Sequence, residues 1–162
     1  MAAAVVASPL QLRHLVFSRV CVTADFKAGK ALELRAPEFD FEGVEIRVRI
    51  GVAVLEEADP GPRGYRVDVE LQIPNSPGGE RRSPYSVEVH AQGWFDVVAD
   101  LPPERRLSIV EVNGASMVIG AIRDEVARIT SRSAFGTLTL PTLRIVPETV
   151  TARAAEETSP SN

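Results

Sequence analysis

The clearest signal along the chain is alternation with a period of two. Between Glu45 and Val54 the apolar residues Ile46, Val48, Ile50, Val52 and Val54 share one face, while Arg47 and Arg49 share the other. From Tyr65 to Ile73 the apolar face is Tyr65, Val67, Val69, Leu71 and Ile73, and the polar face is Arg66, Asp68, Glu70 and Gln72. From Tyr85 to Phe95 the apolar face holds Tyr85, Val87, Val89 and Phe95, and the opposite face holds Glu88, His90, Gln92 and Trp94. Such patterns predict three half-buried strands. The connectors "EEADPGPRG" and "PNSPGGERRSP" are rich in Pro and Gly and too short for crossover helices, so these strands are antiparallel neighbours. Opposite charges on their polar faces are read as a solvated sheet surface.

An earlier segment, "LQLRHLVFSRVCVTAD", is apolar with a phase that slips. Leu10 and Leu12 are even, Leu15 and Phe17 odd, Val20 and Val22 even again. A slip implies a bulge, a bend or burial on both faces. "ALELRAPEFDFEG" predicts at most a short edge strand broken at Pro37. After Asn113 the period changes. Ala115, Val118, Ile119, Ile122, Val126 and Ile129 recur at steps of three and four and form one helical stripe. Asn113 is the expected N-cap, Arg128 and Arg132 suit the last turns, and Gly136 offers a stop. The expected fold is α+β, a four-stranded antiparallel sheet followed by one long helix. One helix and a short tail cover only part of so broad an apolar face, and uncovered apolar surface implies self-association.

Length changes the picture little: 162 residues suggest one domain. Residues 1–9 read as a flexible N-terminal arm, 10–147 as a single domain and 148–162 as a disordered polar tail. The opening "MAAAVVASPL" lacks the basic region of a signal peptide, and no stretch has the length of a membrane span. A net charge of −4 argues against nucleic acid as a partner. The single cysteine, Cys21, excludes an intrachain disulfide and zinc-type clusters. A cytoplasmic setting is the expectation.

Candidate chemistry is sparse. His14 and His90 fall in strands, without Asp or Glu at metal-ligand spacing. "VNGASMVIG" lacks the glycine spacing and lysine of a phosphate-binding loop. Ser116 has no nucleophile-elbow context and reads as a helix-surface serine, and Cys21 as a small apolar strand residue. No enzyme activity and no cofactor are expected.

Three pieces, in order, carry a resemblance: "LQLRHLVFSRVCVTA", "YSVEVHAQGWFDV" and "MVIGAIRDEVARITSRSAFGTLTLP". Together they resemble the SecB export-chaperone family across about residues 10–147. The first is similar to the family's first strand, and the second to the strand that ends Gly-apolar-Phe, here Gly93, Trp94 and Phe95. The third is similar to its long helix, turn and extended segment, with Arg123 and Asp124 at the helix's Arg-Glu and Arg132, Phe135, Leu138, Leu140 and Pro141 beyond. The resemblance implies an ATP-independent holdase that binds unfolded or aggregation-prone polypeptides in apolar grooves, assembled as a dimer or tetramer with its helices between two sheets. Client contacts are expected at Trp94, Phe95, Phe135, Leu138, Leu140, Leu143 and Val146, and the stripe Ala115, Val118, Ile119, Ile122, Val126 and Ile129 between subunits. Two departures bear on partners. Acids that dock the SecA motor in the family correspond to Arg19 and Thr23 here, a charge change that opposes SecA binding. The family's apolar second helix is replaced by "RIVPETVTARAAEETSPSN". SecB-like chaperones also protect antitoxins, which makes an antitoxin-specific or adaptor role the alternative.

Overall fold

The computed structural model describes residues 6–27, 35–56, 63–98 and 101–145. Most of the expected N-terminal arm, the polar tail and Val146 lie outside the described residues. The alternating segments form the strands β1 (Leu10–Ala24), β2 (Arg47–Glu56), β3 (Gly64–Ile73) and β4 (Tyr85–Val97). All pairs are antiparallel, in the spatial order β1-β4-β3-β2. The last residue before β1 is tied down, because Val98 N–H donates to the Pro9 carbonyl at 2.9 Å.

β1 resolves the slipping phase. Its register against β4 shifts between Leu12 and His14 and again between Phe17 and Arg19. Arg13 and Ser18 are therefore the extra residues of two bulges. Each bulge resets the alternation, so Leu12, Leu15, Phe17, Val20 and Val22 lie opposite Phe95, Gly93, Ala91, Val89 and Val87 on one face. The segment around Pro37 forms no strand among its described residues; Ala36–Glu38 is a single 3-10 turn, with proline inside it.

The helix starts earlier than its apolar stripe suggests. Helical backbone begins with α1 (Pro103–Ile109), passes through a π-helical turn (Val110–Gly114) and continues as α2 (Ala115–Thr130). Asn113 is thus interior, not an N-cap. The Pro102-Pro103 pair sets the true start: Pro102 is extended and Pro103 occupies the first turn, where its missing N–H costs nothing. Buried residues follow at 106, 110, 114, 118, 122, 126 and 130, a step of four throughout. In an α-helix each such step drifts by about 40°. The wider π turn takes up part of that drift and seats Gly114 close to Val67 and Phe95.

α2 packs across β3, β4 and β1. The close approach depends on Gly93, where a Cβ would lie 2.7 Å from Phe95 Cε2 and 2.8 Å from Val118 Cγ2. Under the helix the apolar faces of β3 and β4 are buried from Tyr65 to Ile73 and from Tyr85 to Val97. Ala115, Val118, Ile119, Ile122 and Val126 are buried in the same core, and Ile129 is half-buried. Five of the six residues of the stripe expected between subunits, all but Ile129, are therefore already buried within the single chain, against the apolar face of the sheet's two central strands.

Candidate functional site

The segment after α2 is built from polar anchors. Gly136, at φ 81°, turns the chain where a side chain would be strained. Tyr85 lies under this turn. Its hydroxyl accepts from Phe135 N–H and donates to the Gly136 carbonyl, both at 2.9 Å. Thr130 Oγ1 donates to the Val126 carbonyl at 2.7 Å and accepts from Leu138 N–H at 2.8 Å. Arg123 Nε donates to the Leu140 carbonyl at 3.0 Å. Phe135 is buried against Tyr85, ring centroids 5.7 Å apart, and the Phe26 ring lies 5.3 Å from it.

Tyr85→Phe should cost about 1–3 kcal/mol, since it strands a buried N–H and carbonyl. Burial raises the Tyr85 pKa, more than the two backbone hydrogen bonds lower it; burial also raises that of Tyr65, against the opposing charge of Arg106. The folded chain therefore holds these protons longer than the unfolded one. Stability is full below a tyrosine's ordinary pKa of about 10 and falls as pH rises past it. Urea denaturation of both proteins at neutral and alkaline pH checks this: the Phe variant should lose less stability across the alkaline range.

Apolar surface remains on the helix side of the sheet, at both edges. On β2, Ile50 and Val54 pair with the buried Val69 and Tyr65 yet are 40% and 46% exposed. On β1, Leu12 and Val20 pair with Phe95 and Val89 and are 37% and 36% exposed. Leu107 and Met117 are exposed on the helix. The helix covers the centre of the apolar face and leaves its flanks open.

The other face of the sheet is a lattice of charge. Arg19 pairs with Glu88 at 2.9 Å, Arg49 with Glu70 at 3.4 Å, and Arg13 with Asp96 at 2.7 Å. Gln92 donates to Asp68 at 2.6 Å. His90 Nε2 lies 3.4 Å from Glu70 and 3.5 Å from Glu88. A shallow depression of about 370 Å³ runs over Ser18, Arg49, Asp68, Glu70, His90 and Gln92. It is an open sheet surface whose carboxylates already face cations or amides, and the Ser18 hydroxyl donates to the His90 carbonyl at 3.4 Å. Cys21 is exposed on this face rather than packed as an apolar strand residue. No group of three His, Cys, Asp or Glu among the described residues is arranged to hold a metal ion. No helix among the described residues is long and apolar enough to cross a membrane.

The residues expected to contact clients separate into three places. Phe95, Phe135, Leu138 and Leu140 are buried in the core, because the helix and the anchored turn close over them. Leu143 is half-buried against that core. Trp94 is half-buried on the charged face, its ring 5.4 Å from that of His14. Of the anchors, Arg123 was marked by the resemblance only as a helix position, and Tyr85 and Thr130 carry no signal of this role beyond the need of a buried hydroxyl for a partner.

No protein-family model matches the chain, and no curated protein matches it. Solved structures do. A SecB-like chaperone of Mycobacterium tuberculosis, determined with an antitoxin peptide, is 19% identical, with 85% of this chain and 93% of that one covered and a TM-score of 0.49. A protein of unknown function from Streptococcus agalactiae is 10% identical, with 82% and 96% covered and a TM-score of 0.50. The likeness to the second is one of fold.

Proposed function

We propose that this protein is an ATP-independent chaperone that holds unfolded or aggregation-prone polypeptides, acting by binding alone and without catalysis. The observation that carries the reading is the apolar surface left on both flanks of the helix, at Leu12 and Val20 on β1 and at Ile50 and Val54 on β2. An apolar patch on a folded chain is the usual mark of an interaction surface, and two separated flanks suit a client that gains strength from several weak contacts. The three sequence pieces that resemble SecB, followed in the same order by sheet and helix, support the same reading. Self-association would use part of this surface.

A role apart from Sec export is the second reading. Where the resemblance calls for an acid on β1, Arg19 stands, and it is held in an ion pair with Glu88. A client such as an antitoxin fits this better than delivery to a motor that reads acidic residues.

The test is light scattering from a chemically unfolded substrate diluted into buffer without nucleotide. Stoichiometric protein should suppress aggregation at least severalfold, and Ile50→Glu with Val54→Glu should abolish most of that effect. Undiminished scattering at stoichiometric ratio overturns the proposal.

A further inference from the structure

Beyond Gly136 the chain returns along α2 as an extended strap, residues 137–145. Its side chains alternate. Leu138 and Leu140 are fully buried, Thr139 is exposed, and beyond Pro141 the half-buried Leu143 and Ile145 alternate with the exposed Thr142 and Arg144. That is the in-and-out pattern of a strand, yet among the described residues the strap belongs to no sheet. Its backbone is gripped by side chains instead. Leu138 N–H donates to Thr130 Oγ1, and the Leu140 carbonyl accepts from Arg123 Nε. Arg123 and Thr130 are two helical turns apart and so share one side of α2.

These contacts read main-chain groups and apolar volume, not side-chain identity. They are the means by which extended peptides are bound with little regard to sequence. The geometry points to the strap as the resident occupant of a polypeptide-binding groove. The flank of α2 bearing Arg123 and Thr130, with the core beneath it, takes an extended segment carrying two apolar side chains two residues apart. An unfolded client enters by displacing residues 137–145. This inference rests on the chaperone reading above and names the site and its competitor.

Displacement is physically reasonable on two counts. A segment held by few backbone hydrogen bonds opens more cheaply than one in a ladder. An incoming Leu-x-Leu segment would also restore the burial and the two hydrogen bonds that the strap gives up. The strap is tethered, so it competes at an effective concentration on the order of millimolar. Weak ligands are thereby excluded, while a client anchored at the sheet flanks as well can prevail.

The test uses the full chain and reduced, carboxymethylated α-lactalbumin, a permanently unfolded probe. Hydrogen exchange in residues 137–145 should accelerate by about tenfold or more when the probe saturates the protein. Leu140→Ala, confirmed as folded by circular dichroism, should bind the probe about tenfold more tightly, because its strap competes less well. A probe that binds while exchange in 137–145 stays the same or slows overturns displacement and leaves the chaperone reading standing, as does a folded Leu140→Ala variant of equal or weaker affinity. Failure of both wild type and variant to bind overturns the chaperone reading and the strap proposal together.

Discussion

Phe95→Ala should remove about 3–5 kcal/mol of stability, a large share of the roughly 5–15 kcal/mol that holds a domain of this size folded. The ring is 1% exposed and sits where strand, helix and π turn converge. It is the nearest neighbour that a Cβ on Gly93 would meet, and a Cβ on Gly114 would come within 3.5 Å of it. Two glycines thus bring backbone against one ring. Urea denaturation measures the loss as a shift in midpoint. An unchanged midpoint combined with weaker client binding would show that Phe95 works at the surface, against its burial here.

Ile122→Ala should cost about 2–5 kcal/mol. Ile122 is fully buried, in the middle of the stripe that α2 lays on the sheet. The loss is a property of the single chain, so it should be the same in dilute and concentrated protein. A residue buried between subunits behaves otherwise, since its contribution to stability grows with protein concentration. Denaturation at two concentrations a hundredfold apart separates the cases. A penalty that depends on concentration would place Ile122 between copies of the chain.

The strands were legible because alternation depends only on which face of a pleat is dry. The two bulges were legible as a symptom: a phase that slips twice over Leu12–Leu15 and Phe17–Val20 fits a bulge, a bend or burial on both faces, and the register against β4 selects bulges, with Arg13 and Ser18 as the inserted residues. The helix start differs from the expected one, because Asn113-Gly114 looks like a boundary and the segment before it buries Arg106 and Val110 rather than a run of apolar side chains. The strap was half legible. Phe135, Leu138 and Leu140 stood out as an apolar extended piece, but alternation is the same whether the partner is a client or the chain's own core. Thr130 and Arg123, which meet the strap through main-chain atoms, and Tyr85, which holds the turn before it in the same way, seat it on the chain's own core, and main-chain contacts leave no imprint on residue type. That some of the apolar face stays open was legible from one helix set against four strands; that it opens at Ile50 and Val54 was not, since each strand shows which face is apolar and not where a helix crosses it.

The order β1-β4-β3-β2 carries a consequence for how the molecule forms. β2, β3 and β4 are joined in succession and can assemble as a meander through local hairpins. Among the described residues β1, the first strand, pairs with β4 alone, Leu10 against Val97 and Ala24 against Tyr85. Closing that pair spans the longest loop in the sheet and draws on the largest chain entropy. Until it closes, β4 presents a bare edge and the valines of both strands face water, the state in which chains are most prone to associate wrongly. The pairing that completes the sheet is thus the one between the strands farthest apart in sequence.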